Sequence, residues 1–169
     1  CVGCMDCVTM CPDTAILGKV VSEETLQGGL TGLNEEQAEE MEKLWPKVRK
    51  YWDNREKKGD KPGRFGIFID PSKCKGCAEG VDVCGSKDAL AMIPKEKMGL
   101  DEHQRLWEFY TSMGDTDQDF VNERSVMDIM LKEDSLLYAG GAGSCAGCGE
   151  ATALRMMAAV LGYDHGAEN

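Results

Sequence analysis

Four cysteines near the start of the chain have a spacing that suits a polynuclear metal centre. Cys1, Cys4, Cys7 and Cys11 form the pattern C-x2-C-x2-C-x3-C, and Pro12 follows the last of them. This spacing lets three thiolates meet on one cubane iron–sulfur cluster, while the cysteine before the proline ligates a second cluster. The run therefore predicts an iron–sulfur centre and a matching cysteine run elsewhere in the chain.

Zinc and disulfide interpretations of this run are weaker. Structural zinc sites use two separated cysteine pairs, and four closely spaced cysteines cannot easily form unstrained bridges. The chain holds nine cysteines in clustered spacings, and no secretory signal is visible. This usage favours metal ligands in a reducing compartment, so we expect a cytoplasmic protein.

The matching run begins at Cys74 and has a gap. Cys74, Cys77 and Cys84 occupy three of the four places of the pattern, and Gly80 stands at the third place. Two-cluster ferredoxins of bacteria cross their ligands between the two runs. We therefore expect a complete cluster on four thiolates, Cys1, Cys4, Cys7 and Cys84. A second cluster would have three, Cys11, Cys74 and Cys77.

Several outcomes remain open for the second cluster. It could be a three-iron cluster with a vacant corner, or a four-iron cluster completed by solvent or by the Asp82 carboxylate. The site could also be empty, or Gly80 could be a variant substitution of a cysteine. Of these, we favour a cluster that is bound but altered.

A third group of candidate ligands lies near the end of the chain. Cys145 and Cys148 form one C-x-x-C pair in a glycine-rich stretch, directly before Glu150 and a helical pattern over 151–161. Glycines permit close approach of the backbone to a cofactor, and a helix start favours anions. Taken alone, such a pair fits zinc, a redox dithiol or a cluster.

Residues 19–62 separate the two cysteine runs and are predicted to be an insertion. Within it we expect a loop over 19–33 and a helix that begins after a capping box of Asn34 and Gln37. Its apolar stripe continues to Trp52, and Pro46 is expected to kink or split the helix. Trp45 and Trp52 are expected to be packing anchors.

The remaining elements are short. A helical turn is predicted over 13–18, after the first run, and a strand over 64–70, before the second. Residues 87–94 repeat the helix-turn and strand pattern, and a helix is expected over 101–110. A linker is predicted over 95–134.

Several function classes are disfavoured. The formal net charge of −11 argues against nucleic-acid binding, which demands clustered basic residues. No apolar run approaches the roughly 20 residues that span a bilayer. The acidic stretch 115–119 lacks the glycine and glutamate of a calcium loop, since Phe120 and Val126 stand there. His103 and His165 have no evident partners, and no catalytic acid, base or nucleophile is identified.

Taken together, the two cysteine runs, the insertion and the stretch Gly-Ser-Cys145-Ala-Gly-Cys148-Gly-Glu150 resemble pyruvate:ferredoxin oxidoreductases. The resemblance covers nearly the whole chain and implies an α+β fold. A two-cluster ferredoxin-like domain over 1–94 would be followed by the linker and, over 135–169, by the first helix of an α/β thiamine-diphosphate-binding domain. The chain is therefore expected to be an internal fragment. Gly80 departs from the family pattern.

The resemblance also implies functional roles. Cys145 and Cys148 would be two of four ligands to a third cluster, and Glu150 would line the thiamine pocket. The full-length enzyme would decarboxylate a 2-oxo acid, pass the acyl group to coenzyme A and send electrons to ferredoxin or flavodoxin. A homo-oligomer is expected. The alternative is a ferredoxin-like subunit of another redox complex, and a zinc-stabilised interaction domain ranks third.

Overall fold

The computed structural model describes residues 1–94, 97, 99–132 and 145–165. The predicted domain boundaries at 95 and 135, and the side chain of His165, lie outside the described residues. Among the helices described, none is long and apolar enough to cross a membrane.

Short helices surround one two-stranded sheet. In chain order the elements are α1 Asp6–Met10, β1 Ile16–Ser22, α2 Glu23–Leu30, α3 Glu35–Lys43, α4 Asp53–Glu56, β2 Gly63–Ile69, α5 Glu79–Cys84, α6 Leu100–Ser112, α7 Val126–Ile129 and α8 Gly149–His165. Two 3₁₀ turns, Gly85–Lys87 and Gln118–Phe120, complete the described elements.

The two strands pair antiparallel, with Ile16 opposite Ile69 and Ser22 opposite Gly63. The predicted strand over 64–70 is confirmed by β2. The first run leads into β1 and the second run follows β2, so this pairing brings the two runs together at one end of the sheet.

Strand β1 corrects two predictions. The helical turn expected over 13–18 and the loop expected over 19–33 are wrong, since β1 and then α2 occupy most of this stretch. Ser22 caps α2 by accepting a hydrogen bond from the Thr25 amide. The strand forms because β2 satisfies its backbone groups and because helices cover both of its faces, and such long-range pairing outweighs local preference.

Each face of the sheet supports a separate core. Val20 and Phe65 belong to a core that also includes Met5 and Val8 of the N-terminal run. The opposite face packs on the helices of the predicted insertion and on α6, through Leu17, Val21, Leu26, Met41, Trp45, Phe68 and Tyr110. Trp45 is fully buried and contacts the rings of Phe68 and Tyr110, which confirms it as a packing anchor. The first core thus forms the support of the cysteine run.

The helix predictions are confirmed in part. The capping box of Asn34 and Gln37 is present at the start of α3. That helix ends at Lys43 and a separate helix, α4, begins at Asp53, which is the split expected at Pro46. The proline ring clashes with the preceding turn and removes a backbone donor. Helices α6 and α8 confirm the patterns over 101–110 and 151–161. Residues 90–94 form no strand.

Two glycine substitutions should have opposite effects on stability. Gly63→Ala places a Cβ 2.5 Å from Val20 Cγ1 and 2.7 Å from Phe120 Cε1. This overpacking should lower the free energy of unfolding by about 1–3 kcal/mol. Gly28→Ala, in α2, meets no atom within 4 Å and should stabilise the helix by about 0.5–1 kcal/mol. Urea unfolding followed by tryptophan fluorescence measures both. Equal midpoints for the two variants would contradict the packing described for Gly63.

Candidate iron–sulfur centres

The two cysteine runs have the same backbone conformation. Gly3 and Gly76, each directly before the second cysteine of its run, have φ angles of 71° and 67°. Met5 and Ala78, each directly after that cysteine, have φ angles of 67° and 69°. These left-handed residues turn the chain so that a helix, α1 or α5, begins at once. The sequence repeat is therefore a structural repeat.

The last cysteine of each run also has a matching contact. Cys11 Sγ accepts a hydrogen bond from the Ala15 amide at 3.3 Å, and Cys84 Sγ accepts one from the Ala89 amide at 3.3 Å. The segment from Cys84 to Ala89 is one residue longer than the segment from Cys11 to Ala15. Gly85, with φ 50°, follows Cys84, whereas Pro12 follows Cys11. Backbone amides directed at sulfur stabilise a thiolate in either site.

The first cavity is lined by thiols from both runs. It has a volume of about 320 Å³, and its wall includes the four cysteines Cys1, Cys4, Cys7 and Cys84. Met5, Phe65, Ile67 and Leu90 add apolar surface to the same wall. The structure thus brings Cys84 to the three leading cysteines of the other run, as the crossed arrangement predicts.

Burial and one lysine determine the electrostatics of the first cavity. Burial, followed by the charges of Cys4 and Cys84, raises the pKa of Cys7 to about 11. Binding of a metal ion would release this proton, because cysteine ligates metals as the thiolate. Lys87 Nζ lies 3.2 Å from Cys4 Sγ and pairs with Asp6. The bond to Asp6 is the largest cause of the raised pKa of Lys87, which keeps this ammonium charged.

The second cavity is lined by the three other cysteines of the runs. Its volume is about 420 Å³, and Cys11, Cys74 and Cys77 lie on its wall. Gly80 stands at the place that a fourth ligand would occupy. Asp82 is exposed and is not among the described residues that line this cavity. The carboxylate considered as a substitute ligand is therefore not among the described groups on this wall.

His103 has surroundings that the sequence did not indicate. The sequence indicates no partner for it. In the structure it is partly buried, lies on the wall of the second cavity, and has Nδ1 3.1 Å from the carbonyl oxygen of Gly99. The i to i+4 spacing of Gly99 and His103 on α6 makes this contact local.

Neither cavity resembles a site for a single metal ion. Over the described residues, no three His, Cys, Asp or Glu side chains converge closely enough to hold one ion. The thiols instead surround volumes of hundreds of cubic ångströms. Thiols spread around a cavity fit a cluster of several iron atoms, each bound by one cysteine.

The third cysteine pair lies against the second run. Cys145 is exposed and Cys148 is partly buried. Gly147, between them, has φ 70°, and a Cβ there would lie 2.9 Å from Glu79 Oε1 on α5. Glu150 is exposed in the first turn of α8. The pair thus has the first turn of α5 as a neighbour.

Helix α8 is held to the first run by a buried arginine that the sequence reasoning missed. Arg155 is 1% exposed. Its Nη1 donates to the carbonyl oxygens of Val8, of Thr9 at 3.2 Å and of Cys11 at 3.0 Å. Burial lowers the pKa of Arg155, and the charge of Cys11 opposes that shift. A lone basic residue in the apolar pattern over 151–161 was the available signal.

The same helix makes a second bond to this run. Thr152 Oγ1 donates to the Met10 carbonyl at 3.2 Å. Together with Arg155, it satisfies carbonyl groups at the C-terminal end of α1, which have no partner within the helix. Positive charge is also favourable at that end.

A protein-family model described as a 4Fe-4S dicluster domain matches residues 1–87, which is more than half of the chain. The chain belongs to the 4Fe-4S dicluster domain family. It therefore carries an iron–sulfur domain, as the cysteine spacing predicted, and the helices with a small sheet are compatible with a ferredoxin-like fold.

Curated relatives of the dicluster chain are much longer proteins. A putative pyruvate-flavodoxin oxidoreductase of Synechocystis is 26% identical, and a pyruvate-flavodoxin oxidoreductase of Enterobacter agglomerans is 28% identical. A pyruvate:ferredoxin oxidoreductase of Moorella thermoacetica is 26% identical. Each match covers 96% of this chain and 12% of the relative. The chain thus spans about an eighth of their length, and the match continues past the dicluster domain.

Replacing Arg155 should loosen helix α8. Arg155→Met keeps much of the apolar stem but leaves three carbonyl oxygens without their donor. We expect it to lower the free energy of unfolding by on the order of 3 kcal/mol. Arg124→Met, at an exposed position, is the matched control and should change stability by less than about 0.5 kcal/mol. Denaturant unfolding measures the difference, and hydrogen exchange in α8 locates it. If both variants unfold alike, Arg155 does not hold the helix.

Proposed function

We propose that this chain is the electron-relay segment of a 2-oxoacid:ferredoxin oxidoreductase whose substrate is pyruvate. The observation that carries the proposal is the grouping of Cys84 with Cys1, Cys4 and Cys7 around one cavity. That grouping is what crossed ligation of two clusters requires. The substrate comes from the names of the relatives, whose similarity extends over 96% of the chain.

In this proposal the nine cysteines serve three clusters. The first cavity holds a four-iron cluster on its four thiolates. The second holds a cluster on three, Cys11, Cys74 and Cys77. The third begins with Cys145 and Cys148, and because no further cysteine remains in the chain, its other ligands come from elsewhere in the full-length protein. Such clusters accept and pass on one electron at a time.

The protein around the first cavity is suited to this task. Apolar side chains of Met5, Phe65 and Ile67 line it, and they limit contact with water. Lys87 places a positive charge beside Cys4, which offsets the negative charge of a thiolate-bound cluster. Hydrogen bonds and charges near the sulfurs, together with solvent exposure, set the reduction potential of such a cluster.

The third pair and Glu150 connect the relay to the catalytic chemistry. In the full-length enzyme, thiamine diphosphate supplies the stabilised carbanion that decarboxylation of a 2-oxo acid requires. We propose that Glu150 lines its pocket and that the acyl group passes to coenzyme A. Glu150 is exposed on this chain, as a residue that completes a site with other parts of the protein should be. Ferredoxin or flavodoxin is the proposed electron acceptor.

The proposed setting is a cytoplasmic homo-oligomer. Nine cysteines in metal-ligand spacings suit a reducing compartment. The net charge of −11 is unsuited to a nucleic-acid partner and can attract a basic surface of a redox partner.

Two cysteines of the second run should affect different clusters. Cys84→Ala removes a ligand of the first cavity and should remove the iron and the reduced-state EPR signal of the first cluster. Cys77→Ala, seven positions earlier in the same run, should leave that signal unchanged and alter only the second cluster. Iron analysis and EPR spectroscopy of anaerobically prepared protein measure both. Loss of the same signal in both variants would rule out crossed ligation.

The activity itself is tested on the full-length protein. With pyruvate, coenzyme A and thiamine diphosphate, we expect reduction of a viologen dye, and omission of thiamine diphosphate should abolish it. An iron–sulfur protein that reduces no dye with any 2-oxo acid would instead be an electron-transfer subunit of another complex. Protein that lacks broad iron–sulfur absorption would exclude both functions.

A further inference from the structure

We propose that the second cavity holds a three-iron cluster, because the place of the fourth ligand has no thiol and faces apolar side chains. This inference rests on the proposed cluster in that cavity, and it decides among the outcomes that the missing cysteine left open. The residues concerned are Gly80, which lacks the thiol, and Ile16, which occupies its space.

The tip of the Ile16 side chain lies where a side chain on Gly80 would begin. A Cβ built on Gly80 would lie 2.6 Å from Ile16 Cδ1, closer than real Cβ contacts. Leu90 Cδ1 at 3.6 Å and Cys7 Cβ at 3.9 Å are the next nearest atoms. Ile16 is itself buried, at 7% exposure, and is the first residue of β1. A side chain at position 80 would therefore meet the tip of Ile16, which would have to shift to admit it.

The contact with Cys7 shows how the two runs are related. Cys7 has the third place of the first run, and Gly80 has the third place of the second. These two places lie back to back where α1 and α5 meet. The first run keeps its thiol and supplies three ligands to the first cavity, where Cys84 of the second run is the fourth. The second run lacks the equivalent thiol, so only the second cavity is deficient.

The surroundings of Gly80 do not favour solvent as the missing ligand. A buried water needs two or more polar partners. The three atoms nearest to the missing Cβ are all carbon atoms, so a water or hydroxide beside them would gain no hydrogen bond from them. An iron atom at this corner would therefore have no thiolate, and a hydroxide on it would lack these partners.

Nearby polar side chains are engaged elsewhere. Asp13 lies on the cavity wall, but its carboxylate pairs with Lys75 at 2.9 Å. Asp82 is exposed and is not among the residues described on the cavity wall. His103 also lies on the wall, although no atom of it is among the three nearest to the missing Cβ. Three thiolates with one iron atom each account for the remaining corners.

A paired substitution tests this inference in the full-length protein after anaerobic reconstitution with iron and sulfide. Ile16→Val removes the Cδ1 atom that blocks the corner, and Gly80→Cys adds the thiol. The double variant should lose the EPR signal that an oxidised three-iron cluster shows. It should also gain one iron atom per chain. The matched control Gly80→Ala/Ile16→Val makes the same steric change without sulfur and should keep the three-iron signal.

Three results would overturn the inference. Equal iron content in the unmodified protein and the cysteine variant, without a three-iron signal in either, would show that a fourth ligand already exists. His103→Ala would then identify or exclude the imidazole. Unchanged iron content in Cys77→Ala would show that the second cavity holds no cluster. A cysteine variant that keeps the three-iron signal would show that Gly80 does not face the vacant corner.

The first cluster serves as an internal standard in every sample. Its signal depends on Cys84 and not on Gly80. If that signal is absent from all variants, the proposed relay fails as a whole. If it is present while the second-cavity signals disagree with expectation, only the three-iron assignment fails.

Discussion

The antiparallel pairing of β1 with β2 is the constraint on which the cysteine sites depend. The first run ends where β1 begins, and the second run starts just after β2 ends. With Ile16 opposite Ile69, the two runs must emerge at the same end of the sheet. Helices α1 and α5 can then pack together, and Cys84 reaches the cavity that contains Cys1, Cys4 and Cys7. A different register would separate these thiols.

Positive charge accompanies the thiols of both cavities, but in different surroundings. Beside the first cavity, Lys87 is partly exposed and pairs with Asp6. Near the second, the guanidinium of Arg155 is almost fully buried and bonds the carbonyl oxygen of Cys11. A buried charge is screened less than an exposed one. The two sites therefore differ in their electrostatic surroundings as well as in their number of ligands.

Helix α8 also joins the third cysteine pair to the dicluster domain. Cys148 directly precedes this helix, and Arg155, two turns later, bonds the end of α1. The turn between Cys145 and Cys148 lies against Glu79. These contacts fix the pair beside the second run. A relay needs such fixed positions, because electron transfer depends on the separation of its centres.

The sequence by itself determined the chemistry of the cysteines, since ligand spacing within a run is a local property. It also determined α3, α6, α8 and β2, whose caps and periodicities are local. It did not reveal β1, because the strand depends on a partner more than 40 residues away. The tertiary structure alone decided that the tip of Ile16 lies beside Gly80, that His103 lies on a cavity wall and that Arg155 caps α1. Each of these is a packing contact between elements distant in sequence, and no local pattern specifies such a contact.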